Sequence, residues 1–371
     1  MQMSFFDFLS EDEAKKHRPI VSTDWKWTMA NDYPKKKNGL KVFSCFACGG
    51  GSTMGYKLSG CDVLGCCEID PKINNVYVEN QKPKYNYLQD IREFNKREDL
   101  PSDLYDLDIL DGSPPCTTFS MAGDREESWG VKKKFREGQA EQTLDDLSFV
   151  FIDTVAKLRP KVMIMENVEG LIKGEAWSYV QKIYKQLNDI GYKVKHWLLK
   201  GETMGVPQTR HRVFFVATRL DFDLDKIDMT FNYKPITYGK IESGEHKEVL
   251  IEKSKIAKCS ICGESSLSET MKRLCGKETY FSEKITYRNE VCKTITSGGN
   301  EIWIENTGTH LNEEEIVNAQ TFPQDYKFFN ERVKYICGMS VPPIMIKRLV
   351  DRLIESGLFD YKIKNVVGDI T

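Results

Sequence analysis

No run of apolar residues in this 371-residue chain approaches the ~20 needed to span a bilayer. A secretory leader is missing too: the opening MQMSFFDFLSEDEAKKH is acidic where a leader is basic, and it has no long apolar centre. These absences argue against a membrane partner and make a cytoplasmic location the expectation. Positive charge is not in excess, since 53 Lys and Arg face 55 Asp and Glu, a formal net charge of −2. Global attraction to nucleic acid is thereby excluded, and any binding to a polyanion has to come from local basic patches. There is no internal repeat and no low-complexity tract. The eleven cysteines are an odd number and two of them, Cys66 and Cys67, are adjacent, which fits reduced thiols and not a disulfide framework. What is present is ordinary for a globular protein, 40% hydrophobic and 29% charged, in a chain long enough for one large core and a smaller lobe.

Residues 1–38 are of mixed polarity, end in Lys35-Lys36-Lys37, and read as an N-terminal extension. From Leu40 short apolar strands alternate with helical stretches. LKVFSCFA (40–47), DVLGCCEI (62–69), YDLDILDG (105–112), KVMIMENV (161–168), KVKHWLL (193–199) and RVFFVAT (212–218) each read as a strand, most of them near-continuous apolar runs of the kind buried on both faces. Ala176, Val180, Ile183, Leu187 and Ile190 share one helical face, and Gly191 stops that helix. A second helix, TLDDLSFVFIDTVAKL, precedes Pro160. This alternation predicts an α/β fold with a doubly wound, mostly parallel sheet over 39–219. Residues 220–287 are polar, lysine-rich and irregular, and read as an inserted lobe. Helical patterning returns in 288–371, with Asn312 as a cap and an amphipathic helix over 342–357 that leads back to the first domain.

The first strand runs into FACGGGSTMG, a glycine-rich turn in which backbone amides can approach a ligand closely. Glu68 ends the second strand close to the ~20-residue distance at which an acid reaches a ribose hydroxyl. Asp90 follows a possible third strand, where it either meets an adenine amine or caps a helix. The loop alone fits nicotinamide, flavin and S-adenosylmethionine equally. Four further segments fall at strand ends or helix starts: SPPCTTFS (113–120), MENVEG (165–170), QTRHR (208–212) and CGMSVPP (337–343). Ser113-Pro114-Pro115 forms a stiff mount for Cys116, because proline fixes its own φ and restricts the residue before it. Whether that thiol is reactive or an inert small hydrophobe is open from this segment alone. Together the four segments supply a thiol, a carboxylate and paired guanidiniums, a set suited to covalent catalysis on a pyrimidine.

In these segments the chain resembles the DNA (cytosine-5) methyltransferases, over most of 40–219 and 288–357. PPCTTFS resembles their Pro-Cys nucleophile motif, ENV the glutamate motif, QTRHR the Gln-x-Arg-x-Arg motif, and GMSVPP the closing segment that returns to the cofactor. The resemblance implies an S-adenosylmethionine-dependent methyltransferase fold and methyl transfer to carbon 5 of a cytosine flipped out of a specific duplex DNA sequence. It implies Cys116 as the nucleophile toward carbon 6, Glu166 at ring nitrogen 3, Arg212 at the carbonyl oxygen, and Arg210 in support. It also implies a cofactor site of Phe46, Gly49, Gly50, Gly51, Glu68, Ile69, Asp90, Ile91, Pro114, Leu147, Ser340 and Val341. Residues 117 to about 140 are expected to close over the extruded base. In that stretch Ser120, Lys132, Lys133, Lys134 and Arg136 are the expected DNA contacts, unless the basic run is a solvated face. Double-stranded DNA is the expected partner of a monomer of the bacterial or phage modification type, with a companion restriction endonuclease possible. The 220–287 lobe takes the place of the target-recognition region. The alternatives are a transfer-RNA cytosine-5 methyltransferase and a catalytically silent DNA-binding homologue.

Two positions depart from the family pattern. Cys48 stands where the first loop glycine is usual, and Met339 where asparagine is usual, which bears on cofactor affinity. Cys259-x-x-Cys262, with Cys275 and Cys292, could bind zinc in the lobe, although a second Cys-x-x-Cys is missing and metal-free thiols are the simpler expectation. Cys45, Cys61, Cys66, Cys67 and Cys337 read as core residues, His211 as an outward-facing strand residue, and His310 as a histidine without an evident partner.

Overall fold

The computed structural model describes residues 19–115 and 147–363, except 247, 248, 250, 277, 278, 280, 282, 299 and 300. The alternation in the sequence becomes β1 (Lys41–Cys45), α1 (Gly51–Leu58), β2 (Asp62–Glu68), α2 (Pro71–Gln81), β3 (Tyr85–Leu88), α3 (Ile91–Lys96), β4 (Ile109–Gly112), α4 (Leu147–Leu158), β5 (Val162–Val168), α5 (Trp177–Asp189), β6 (Lys193–Lys200) and β7 (His211–Thr218). They form one seven-stranded sheet in the order β3-β2-β1-β4-β5-β7-β6. The pairings from β3 to β5 are parallel, whereas β7 runs antiparallel to both β5 and β6. A parallel return needs a crossover of a dozen or more residues, usually helical. Only a 3-10 turn lies between β6 and β7, so the chain doubles back.

Alternation along the strands splits the core into two layers. Val42, Ile109, Ile164, Phe214 and Val216 face one side, while Phe43, Leu110, Met163, Met165 and Phe215 face the other. From β1 the chain winds outward through β2 and β3, then crosses back to place β4 on the other side of β1. The order therefore reverses between β1 and β4, and such a reversal opens a crevice at the C-terminal strand ends where open α/β sheets bind ligands. The loop after β1 and the Ser113-Pro114-Pro115 segment after β4 flank that crevice.

Past β7, residues 224–241 add Leu224, Ile227, Met229, Ile236, Tyr238 and Ile241 to the larger core. A separate small core of Ile256, Ala257, Leu267, Ile285, Tyr287 and Trp303 is built by α6 (Glu252–Lys258), α7 (Leu267–Cys275), β8 (Lys284–Thr286) and β9 (Ile302–Ile304). The lobe's own core thus draws on residues on both sides of position 287. The chain then returns through α8 (Glu313–Ala319), started by an Asn312/Glu315 capping box, then α9 (Val333–Met339) and α10 (Pro343–Glu355). Helix α10 lies so close to α1 that a Cβ on Gly55 would sit 2.5 Å from Ile346 Cβ. The described part of the N-terminal segment is strapped onto this core: Trp27 is buried and its Nε1 donates to Thr321 O at 2.9 Å.

Candidate active site

At the switch point lies a cavity of about 390 Å³, within the ~300–1,000 Å³ typical of small-molecule sites. Phe46, Glu68, Ile69, Asp90, Ile91, Pro114 and Leu147, all expected at the cofactor, line it, and so do Glu166, Arg210 and Arg212. Cys116 and the expected DNA contacts Ser120, Lys132, Lys133, Lys134 and Arg136 lie outside the described residues.

Glu68 is held before any ligand arrives. Its Oε1 accepts from the N–H groups of Ile69 (2.8 Å) and Asp70 (3.0 Å), and its Oε2 from Cys48 N–H (2.8 Å). Burial raises its pKa and these three donors pull against that rise. A carboxylate offers about four acceptor positions, so one remains for a hydroxyl in the cavity. Asp90 caps α3 by accepting from Arg92 N–H at 2.7 Å, and it also lines the cavity. Gly49, Gly50, Gly51, Ser340 and Val341 are not among the lining residues. The two outer glycines of that loop instead allow it to pack against α9 and the segment that joins it to α10. A Cβ on Gly49 would lie 2.4 Å from Ile336 Cγ2, and one on Gly51 2.1 Å from Val341 O. Cys48 lines the cavity in a left-handed backbone, φ 46°, so the loop keeps a glycine-type turn without glycine there. Burial pushes its thiol up to about 12, which keeps it protonated.

The other half of the cavity is acidic and cationic by turns. Glu166 is buried near the end of β5, and Arg212 stands two registers away on antiparallel β7, where it pairs with Val168. Arg212 Nε meets Glu166 Oε1 at 2.8 Å. Arg210 is buried and points elsewhere, with Nη1 donating to Ile295 O (2.9 Å) and Nη2 to Gly338 O (3.1 Å) and Ser340 O (2.9 Å). Burial, then the neighbouring Arg212, pushes its pKa down to about 9, which still leaves a cation at neutral pH. Gln208 of the same motif is wholly buried, bonding Ala319 O, Gln320 Oε1 and Ile295 N–H. In QTRHR, then, one arginine faces the cavity pair while Gln208 and Arg210 fasten the C-terminal segment to it.

Several lining residues had no assigned role in the sequence. Asn167 Nδ2 donates to Pro114 O at 3.4 Å, tying the proline mount to β5. Ser297 and Tyr335 reach the cavity from distant segments, and Cys48 and Met339, noted only as departures, both line it. His310 does have contacts, with Nδ1 3.1 Å from Leu311 O and its ring edge-on to Trp303. His211 is part-buried between two carboxylates, with 30% of its side-chain surface exposed. The ten described cysteines are free thiols. Cys259, Cys262 and Cys275 are exposed on the lobe while Cys292 is buried in the main core, and no group of three or more metal-ligating side chains occurs among the described residues.

Beneath this site Asp111 is buried on β4, accepting from Ser44 Oγ (2.6 Å) and Tyr56 Oη (3.0 Å). Burial pushes its pKa up to about 7. The native state thus keeps a proton that the unfolded chain releases near 4, so stability is lost as pH rises through 7. Asp111→Asn is expected to stabilise the protein by about 4 kcal/mol at pH 8, at ~1.4 kcal/mol per tenfold in proton affinity, and the gain should vanish below pH 4. Urea midpoints at both pH values check this, and equal gains at both would count against it.

A doubly wound sheet with a cavity at its switch point, the acids Glu68 and Asp90 on one wall and a carboxylate–guanidinium pair on the other, fits a cofactor-dependent group-transfer enzyme. The chain belongs to the C-5 cytosine-specific DNA methylase family, whose family model matches residues 40–355. It is a DNA cytosine-5 methyltransferase, and family and fold imply a reaction that depends on S-adenosylmethionine. Among curated proteins it is similar to the Type II methyltransferase M.Bsp6I of Bacillus sp. (strain RFL6), 26% identical over 86% of this chain and 100% of that protein. It is also similar to the Type II methyltransferase M1.HphI of Haemophilus parahaemolyticus, 23% identical over 85% and 87% of the two chains. Among solved structures, a prophage-encoded putative DNA modification methyltransferase from E. coli shares the fold with a TM-score of 0.59 at 19% identity, over 85% of this chain and 99% of that one. Spodoptera frugiperda DNMT2 shares it with a TM-score of 0.60 at 16% identity, over 85% and 100%. No helix among the described residues is long and apolar enough to cross a membrane.

Proposed function

We propose that this protein methylates carbon 5 of cytosine within a specific duplex DNA sequence, as the modification partner of a restriction endonuclease, and that it acts as a cytoplasmic monomer. The observation that carries the reading is the Arg212–Glu166 pair at 2.8 Å, at one cavity with Pro114 and Pro115, the mount of Cys116. S-adenosylmethionine, when bound, supplies the electrophilic methyl carbon. Glu68 holds its ribose with the one acceptor position its backbone donors leave, and Phe46, Asp90, Ile91, Pro114 and Leu147 enclose the rest. Gly49, Gly50, Gly51, Ser340 and Val341 support that wall by packing.

On the base side, the Cys116 thiolate adds to carbon 6 of the extruded cytosine. Addition places electron density on the ring, which Glu166 accommodates by holding a proton at nitrogen 3 while Arg212 grips the carbonyl oxygen. Carbon 5 then becomes nucleophilic. Loss of its proton after alkylation, followed by departure of the thiol, restores the aromatic ring. The lobe around Trp303 and Tyr287 supplies base-edge contacts for target choice.

The test is single-base methylation sequencing of DNA from a methylation-free host that expresses this chain, beside Cys116→Ala. One methylated motif that vanishes in the variant is the expected result. Unmethylated DNA alongside soluble, cofactor-binding protein would reject the DNA reading in favour of RNA. Met339→Asn, which sets a donor and an acceptor on the cavity wall in place of a thioether, should tighten S-adenosylhomocysteine binding by about threefold to tenfold. Unchanged affinity by calorimetry would reject that role.

A further inference from the structure

The motif that carries Arg212 also holds a charged cluster that the base chemistry leaves unused. His211, first residue of β7, has Nε2 2.8 Å from Glu202 Oε1 and Nδ1 3.3 Å from Glu169 Oε2. Glu169 begins the turn that leaves β5, three residues after Glu166, and Glu202 lies in the turn that leaves β6. A neutral imidazole has one N–H and one lone pair, so one of the two contacts would set a lone pair against a carboxylate. Only the imidazolium donates to both. Glu202 Oε2 is buried with no hydrogen-bond partner among the described residues. Against that burial His211, ahead of the more distant Lys200, holds this carboxylate in its charged form.

The cluster sits where three strand ends meet. Val168 of β5 pairs with Arg212, and Lys200 of β6 pairs with His211. Arg212 is fixed from both sides, its Nη1 donating to His211 O at 2.7 Å and its Nε facing Glu166. We propose that His211 is a positioning residue for the Glu166–Arg212 pair: as an imidazolium bridging Glu169 and Glu202, it locks the ends of β5 and β6 to the start of β7 and holds Arg212 in place. This rests on the reading of that pair as the base-binding site.

The hydrogen bond to Glu202 raises the imidazole's pKa above its ordinary 6.5; burial opposes the rise, and the charges of Glu202 and Glu169 add to it. The other charged groups facing the cluster are Lys173, 2.7 Å from Glu169, Lys200 at the end of β6, and Arg210, Arg212 and Glu166 on the cavity side. A raised histidine pKa means the clamp is complete below about pH 6.5 and is lost as pH rises through the folded midpoint.

The experiment pairs two titrations. Proton NMR of His211, assigned with His211→Gln, gives its midpoint. Single-turnover methyl transfer to a duplex carrying the sequenced motif gives function over the same range, with S-adenosylhomocysteine calorimetry alongside. The wild-type midpoint is expected above 6.5, with transfer falling about tenfold across it. Glu202→Gln should lower that midpoint by about one pH unit and carry the fall in transfer with it, leaving cofactor-product affinity unchanged. A fall that stays put while the midpoint moves overturns the inference, as does His211→Gln protein that transfers at the wild-type rate near pH 6. Wild-type protein that makes no 5-methylcytosine on any DNA or RNA overturns the base-site reading and the inference with it.

Discussion

Glu166→Gln is expected to lower single-turnover methyl transfer by about 10²–10⁴-fold, the range that proton transfer by a positioned side chain supplies, while S-adenosylhomocysteine still binds within about twofold. The reasoning starts from what the amide keeps. Its carbonyl oxygen can still accept from Arg212 Nε, which now stands 2.8 Å from Oε1, and its shape is that of the acid, so neither strand has to move. Two things are lost. The amide has no acidic proton to hold at ring nitrogen 3, and the Arg212 guanidinium, mostly shielded from water, loses its counter-charge. Both losses fall on the reacting base and neither on the Glu68 wall. A variant within tenfold of wild type would remove Glu166 from the chemistry, and one that also lost the cofactor product would point to a fold defect.

Much of this arrangement could be read from the chain before any coordinates. The buried strands β1 and β5 are near-continuous apolar runs because helices cover both faces of the sheet, and a run of that kind permits little else. The antiparallel β7 was not read, yet its signal was present: no helical stretch lies between Leu199 and Arg212, and a parallel crossover needs one. Strand β3 was hardest to see, being four residues long at the sheet edge with alternately exposed side chains. At the site, Glu166 and Arg212 were legible because each sits in a short motif at a strand end. Ser297, Tyr335 and the Asn167–Pro114 bond were not, because each depends on contacts between segments far apart in sequence. The motif QTRHR shows the limit well. Its residue types announce charge, and the resemblance implies different roles for the two arginines. Only the fold separates what they hold, with Arg210 on the carbonyls of Ile295, Gly338 and Ser340 while Arg212 faces Glu166.

That separation gives Arg210 a structural prediction of comparable size. Arg210→Met is expected to destabilise the protein by about 2–6 kcal/mol, the cost of leaving two buried carbonyls without their donor. The guanidinium spans two segments, with Ile295 O on one and Gly338 O and Ser340 O on the other. Ser340 O has a second donor in Gln320 Nε2 at 2.7 Å, so its loss is cushioned. Ile295 O and Gly338 O have no second donor among the described residues, and each buried orphan costs about 1–3 kcal/mol. Arg210→Lys should fall between the two, because a point charge cannot reach both segments as a planar fork does. The consequence for function runs through position: Gly338 and Met339 line the cavity, so a loosened α9 end should weaken S-adenosylhomocysteine binding about tenfold even where the variant is fully folded. Urea unfolding with an unchanged slope, alongside calorimetry, separates the two effects. A stability loss under about 1 kcal/mol would mean that these carbonyls find water or other donors, and that Arg210, the first arginine of the motif, acts on the base after all.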